Sequence, residues 1–216
     1  ALFISAVLLG WQSLNAGREG FHQMATASEI HLHNLARISA GTRDNYAQIL
    51  LAFQHAPESH TAAIHDHPTN QHLDAIAAHK SALDEAWKKI TSSELEEDEK
   101  VLASDIESKS AAWMAKLQAA IDAIKGDDFS ASTQAAFLKA GREEGKALLD
   151  ALDKMIDSQA HEAALASAEE EALYSRDVKI FMGLIVFGFF GVLGTAYITI
   201  RHINTGLSKA EAAAEA

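Results

Sequence analysis

The chain has 216 residues and a formal net charge of −12, from 30 acidic against 18 basic side chains. This acidic balance argues against a nucleic-acid partner, because phosphate binding needs a basic surface. Cysteine is absent, which excludes disulfides and thiol chemistry, and the two prolines together with abundant alanine indicate few, long helices.

The chain opens with the apolar stretch ALFISAVLLGW, residues 1–11. This stretch is too short to cross a bilayer, so we interpret it as the C-terminal half of a first transmembrane helix, with Trp11 at the membrane interface. On this interpretation the sequence is a fragment of a longer protein.

The same helix is expected to run on to about His55, because apolar or small residues recur three and four positions apart, at Leu35, Ile38, Thr42, Asn45, Ile49 and Ala52. A second stripe lies beside the first and includes Arg43, Tyr46 and Phe53. Two adjacent stripes predict two neighbours, namely the rest of a bundle and the same helix of a second copy in a parallel homodimer.

Residues 56–69 hold both prolines and form the first connection. Thr69 or Asn70 can cap a second helix that ends near residue 90. Ser93 followed by Glu96 matches a capping box, which predicts the start of a third helix.

The third helix is expected to stop at Gly126, and Ser130 or Ser132 can cap the fourth. No proline follows before residue 200, so the fourth helix is expected to pass unbroken into the uncharged run 180–200. That run is long enough to span a bilayer core.

The predicted fold is all-α, an antiparallel up-down-up-down four-helix bundle whose first and fourth helices continue into transmembrane helices. Four regions follow from it: residues 1–11 as half of a membrane helix, 12–179 as the bundle, 180–200 as the second membrane helix and 201–216 as the segment beyond it.

The stretches that follow these elements resemble the four-helix-bundle sensory module of bacterial methyl-accepting chemotaxis receptors. They are ISAGTRDNYAQILLAFQHAP in helix one, HDHP in the connection, the Gly126–Asp127 turn and LDKMIDSQ in helix four. RHINTGLSKAEAAAEA, residues 201–216, resembles the start of a HAMP domain, with Gly206-Leu207 standing where that family usually has Pro-Leu.

The resemblance implies a multi-pass protein of the bacterial inner membrane that acts as a homodimer, with residues 12–179 in the periplasm. It implies binding of amino acids or organic acids between helices near the membrane-distal end. It also implies signalling to a chemotaxis kinase and adaptor through a cytoplasmic part. The same module precedes histidine kinases and diguanylate cyclases, so these outputs stay open.

Eight residues can share one layer near the membrane-distal end when positions are counted down each helix at about 1.5 Å per residue. Lys109 and Lys116 fall on the apolar stripe of helix three, where an unpaired lysine is costly, and a small carboxylate ligand would compensate both. Alternatively, Lys109 pairs with Asp105, and Asn45 only fixes the register of two helices. The predicted ligand-binding residues are Arg43, Asn45, Tyr46, His79, Lys109, Trp113, Lys116 and Arg142.

Histidines, His55 among them, crowd the same end of the bundle and give a rival hypothesis, a metal-sensing membrane protein that uses this His-rich loop. His65, Asp66, His67 and His72 could supply three nitrogens and an oxygen to zinc, copper or nickel. Loop histidines are usually solvated, and HDHP also matches a turn, so we expect no metal site and no cofactor. No catalytic motif is recognisable, and we expect no enzyme activity.

Overall fold

The computed structural model describes the backbone of residues 2–60 and 62–214, together with the side chains of 28–60 and 62–208 and of a few earlier residues. Most side chains of the predicted first membrane segment, 1–11, and those of 209–216 in the predicted HAMP segment lie outside this description. Within the described residues the chain is helical and contains no strand, which confirms the predicted all-α fold.

Within residues 2–60 and 62–214, five α-helices, one 3₁₀ turn and one π-helical turn follow each other. They are α1 (Leu2–Phe53), the 3₁₀ turn (Ala62–Ile64), α2 (Asn70–Thr91), α3 (Glu97–Lys125), α4 (Ala131–Ala140), the π turn (Gly141–Gly145) and α5 (Lys146–Ala214).

The chain forms two compact units. One is Thr26–Ala164, and it holds the bundle: the second half of α1, then α2, α3 and the fourth helix made of α4, the π turn and the start of α5. The other comprises Ala1–Ala25 and Leu165–Ala216.

The predicted first stripe of α1 forms one side of the bundle core. Every member of it is buried: Leu35, Ile38, Thr42, Asn45, Ile49 and Ala52. The neighbouring stripe also serves the bundle, because Tyr46 stacks on Phe137 and Phe53 lies with its ring centroid 6.1 Å from the same ring. Arg43, in the same stripe, is exposed.

The helix ends follow local capping chemistry, with two corrections. Thr69 precedes α2 as predicted, but its side chain makes no capping hydrogen bond. Ser130 Oγ accepts a hydrogen bond from the Thr133 amide, as predicted for the fourth helix. The capping box of α3 uses Glu96 and Glu99, not Ser93 and Glu96 as predicted, because Glu96 has the extended backbone of an N-cap residue and α3 begins at Glu97. Ser93 instead bonds the Ile90 carbonyl at the end of α2.

The fourth helix departs from the unbroken α-helix that the sequence predicts, since residues 141–145 form a π turn. Aromatic rings lie against both of its glycines. A Cβ on Gly141 would stand 2.3 Å from Tyr46 Cε2, and a Cβ on Gly145 would stand 3.2 Å from Trp113 Cζ3. Glycine is therefore needed where the Tyr46 ring lies against the helix backbone.

Within the unit of Ala1–Ala25 and Leu165–Ala216, α5 carries the apolar run 180–200. The helical stretch Ala131–Ser208 is long and apolar enough to cross a membrane, judged by length and composition. Most of the large side chains of the run 180–200 are exposed, Phe187 to 80%. Gly10 of α1 approaches Phe181, since a Cβ on Gly10 would lie 3.1 Å from that ring.

Candidate functional site

A cavity of about 370 Å³ lies between α1, α2 and α3 in the bundle. Its lining combines apolar side chains with polar and charged ones, which is the usual make-up of a small-molecule site. The lining residues are Asn45, Asn70, Leu73, Asp74, Ile76, Ala77, Lys80, Met114, Leu117, Gln118, Ile121 and Lys125.

The charged groups of this cavity are two lysines and one aspartate. Lys125 ends α3 and makes no ion pair within the described part of the chain. Lys80 lies ten residues into α2 and pairs with Asp84 at 3.2 Å. Asp74, one turn into α2, places a carboxylate on the same wall. Cationic and anionic groups are thus both available to a ligand.

Three basic residues of the predicted layer, Arg43, Lys109 and Lys116, have acidic partners of this chain. Arg43 lies 3.9 Å from Asp153, and both side chains are more than half exposed. Lys116 lies 3.5 Å from Glu144.

Lys109 pairs with Asp105 one turn earlier, which is the alternative left open for it from the sequence. Arg142 is exposed on the π turn.

The remaining members of the layer fall into two groups. Tyr46 and Trp113 belong to an aromatic cluster with Phe137, and Trp113 is only 2% exposed. Asn45 is buried and accepts a hydrogen bond from His79 Nδ1 at 3.0 Å. Of the eight predicted residues, Asn45 is the one that lines the described cavity.

Four histidines meet where α1 ends and α2 begins. His55 follows the last turn of α1, His65 and His67 lie in the connection, and His72 lies in the first turn of α2. One ring nitrogen from each lies within 4.8 Å of the others. His72 Nε2 lies 3.0 Å from His67 Nε2 and 3.2 Å from His55 Nε2. We name these four side chains the histidine cluster.

Polar partners hold the outer nitrogens of the cluster. His72 Nδ1 donates to Gln48 Oε1 at 2.7 Å, and His67 Nδ1 donates to Asp66 Oδ1 at 3.1 Å. His65 Nε2 lies 3.3 Å from Gln54 Oε1. Asp66, predicted as a ligand candidate, therefore orients a histidine and is not itself a member of the cluster.

The surroundings shift the pKa of three groups here. Burial, followed by the charges of the neighbouring histidines, lowers the pKa of both His55 and His72. The hydrogen bond from His67 lowers the pKa of Asp66. Neutral imidazole is thereby favoured in His55 and His72, and it is the form that binds metal ions.

The sequence placed three members of the cluster and missed His55 and Gln48. His55 was counted among the crowded histidines, but it stands 17 residues before its contact His72, so no short ligand motif joins the two. The position of His55 could have indicated it, since His55 directly follows α1 and precedes the connection that leads to α2, the helix of His72.

Comparison with known families gives a match over residues 1–174, to the family described as a four helix bundle sensory module for signal transduction. No curated protein and no solved structure matches the chain. The match spans most of the chain and agrees with the bundle described above. The chain therefore belongs to the family of four-helix-bundle sensory modules of chemoreceptors, whose role is signal transduction and not catalysis.

Proposed function

We propose that this chain is the sensory region of a transmembrane chemoreceptor for a small extracellular anion, an organic acid or an amino acid. The signal passes through the fourth helix to a cytoplasmic signalling domain. A histidine kinase or a diguanylate cyclase in place of the chemotaxis output is the alternative.

The observation that carries this proposal is the cavity between α1, α2 and α3. Its volume of about 370 Å³ suits a metabolite, and the Lys125 ammonium is available for a carboxylate. The N-terminus of α2, at Asn70, adds the positive end of a helix dipole. Asp74 offers a carboxylate to an ammonium group, which favours an amino acid over a simple organic acid.

The path for the signal is α5, which starts directly after the π turn and continues without interruption to Ala214. Sliding of packed helices by about 1–2 Å is a known switching motion, and it needs no hinge. A ligand biases such a switch only through its differential affinity for the two states.

The rest of the proposal concerns the setting of the sensor. Residues 12–179 face the periplasm, 180–200 cross the inner membrane and 201–216 begin a HAMP-type linker. The receptor is a parallel homodimer, and a chemotaxis kinase and adaptor receive its output. The exposed apolar side chains of 180–200 support a lipid environment for that segment.

Calorimetry on the full chain in lipid nanodiscs tests the ligand site. The panel is a set of amino acids, malate and citrate, and the controls are amines that lack a carboxylate. In Lys125→Ala we expect affinity for the bound carboxylate to fall about 10- to 150-fold, because a charge-assisted hydrogen bond contributes about 1.5–3 kcal/mol.

Lys89→Ala is the matched control, since Lys89 is an exposed lysine of α2 that pairs with Glu85 away from the cavity. Unchanged binding in Lys125→Ala, together with loss in Arg43→Ala or Lys109→Ala, would move the site to the layer predicted from the sequence. An absence of binding across the panel would refute the proposal that the ligand is a small anion.

A further inference from the structure

The histidine cluster contains an electrostatic contradiction in the absence of a cation. The Nδ1 of His72 donates to an amide oxygen, and the Nδ1 of His67 donates to the Asp66 carboxylate. Each ring in its neutral form therefore carries its proton on Nδ1, which leaves a lone pair on Nε2. These two Nε2 atoms lie 3.0 Å apart, with lone pairs on both.

Three Nε2 atoms converge in this way, because His55 Nε2 also lies 3.2 Å from His72 Nε2. A tetrahedral zinc ion with Zn–N bonds of about 2.0–2.1 Å holds its nitrogen ligands about 3.3 Å apart. The observed separations are close to this value, so an ion fits among the rings after small movements. His65 uses its Nε2 for the Gln54 contact, so its Nδ1 is the ring nitrogen that can bind the ion.

We propose that His55, His65, His67 and His72 bind one divalent transition-metal ion of the zinc, nickel or copper class. The cluster has the two parts of a protein metal site. The ring nitrogens supply four neutral ligands of the kind these ions prefer. Gln48 and Asp66 hold the rings of His72 and His67 by their outer nitrogens, as the partners of metal-bound histidines do.

The ion joins three segments of the bundle. His55 directly follows α1, His65 and His67 lie in the connection, and His72 lies in the first turn of α2. Binding therefore fixes the path of the connection against both helices. An ion that binds the folded but not the unfolded chain stabilises the fold by mass action, about 2.7 kcal/mol at a hundredfold excess over Kd.

Titration of the full chain in nanodiscs with ZnCl₂, NiCl₂ and CuCl₂, against a chromophoric chelator, tests the site. MgCl₂ is the negative control. We expect one ion per chain, with absorption typical of tetrahedral coordination when Co²⁺ replaces Zn²⁺. His67→Ala, in the connection, is the main variant because it leaves the buried His72 in place. It is expected to weaken binding by more than the roughly 10- to 100-fold loss expected for Gln48→Ala, which removes only an outer partner.

His60→Ala is the matched control, since His60 is an exposed histidine of the same connection. Binding unchanged in both His67→Ala and His55→Ala would overturn the site. Equal weakening in His60→Ala would overturn it too, because it would mean scattered surface binding. No saturable binding of any of these transition metals would overturn the proposal as well.

Discussion

The π turn gives a sharp test of how α1 packs on the fourth helix, through Gly141→Ala. The added methyl carbon would stand 2.3 Å from Tyr46 Cε2 and 2.9 Å from Tyr46 Cζ. Carbon atoms at rest lie about 3.5–4.0 Å apart, so the ring or the turn must shift by more than about 1 Å. The ring has little freedom, because it is stacked on Phe137 and lies beside Trp113.

Two opposing effects decide the size of the change. Overpacking a well-filled core costs about 1–3 kcal/mol, and alanine in place of glycine in a helix interior gains about 0.8–1.0 kcal/mol. At Gly141 the clash is severe, so we expect a net loss of about 1–2 kcal/mol. At Gly145 the methyl would lie 3.2 Å from Trp113 Cζ3, an overlap of a few tenths of an ångström that the helix gain offsets.

Thermal unfolding of the full chain in nanodiscs, followed by far-UV circular dichroism, measures both variants. One kcal/mol corresponds to about 2–4 °C for a chain of this size, so Gly141→Ala is expected to unfold about 2–8 °C lower. Gly145→Ala is expected to stay at the wild-type midpoint. In a Tyr46→Ala background Gly141→Ala should no longer destabilise, which isolates the contact with the ring. A Gly141→Ala midpoint at or above wild type would refute the reasoning.

Three further outcomes follow from other parts of the bundle. Burial and the nearby charges of Glu99, Asp98 and Glu96 raise the pKa of Glu162 above its ordinary value. The charged carboxylate therefore destabilises the fold above that raised pKa, whereas the protonated form at pH 4 does not. Glu162→Gln should raise the unfolding midpoint at pH 7.5 and leave it unchanged at pH 4. Ser130→Ala removes the cap on the Thr133 amide and should cost about 1 kcal/mol in denaturant unfolding, whereas the exposed Ser132→Ala should not. The proposed homodimer should appear as a dimer in sedimentation of the full chain in detergent, and a monomer at all concentrations would contradict it.

Local patterns account for the part of the fold that the sequence predicted. The three- and four-residue spacing in α1 placed its buried stripe correctly, because each residue of a helix turns its side chain by a fixed angle. The serine before α4 and the glycine after α3 marked their helix ends through backbone hydrogen bonding that needs no tertiary contact.

The π turn and the α3 cap depend on more than local spacing. The sequence Gly-Arg-Glu-Glu-Gly carries no sign of a π turn, and the close approach of two aromatic rings from α1 and α3 becomes visible only in the folded bundle. At the start of α3, several residues could cap, and the extended backbone at Glu96 selected it over Ser93.

The predicted anion layer also depends on contacts that local spacing does not show. Lys109 has an acidic neighbour one turn away on its own helix, and Lys116 reaches Glu144 across the bundle, so the charge that suggested an anion layer is compensated within the chain. Counting residues down each helix predicted how far a side chain lies from the membrane-distal end of the bundle, but not the direction in which it points. Most of the predicted layer therefore lies outside the cavity that α2 and α3 line.

The cavity and the histidine cluster share the first turns of α2, and this connects the two proposals. His72 belongs to the cluster, while its neighbours Leu73 and Asp74 line the cavity. An ion on His72 would fix the turn that positions Asp74, so a ligand that contacts Asp74 would bind a more ordered wall. Thermodynamic linkage makes this coupling reciprocal, so the factor by which the ion changes ligand affinity must equal the factor by which the ligand changes ion affinity. If the two sites act together, both factors rise above one and both fall to one in His67→Ala. If they act independently, the ion only stabilises the connection, and ligand binding in the cavity alone starts the signal.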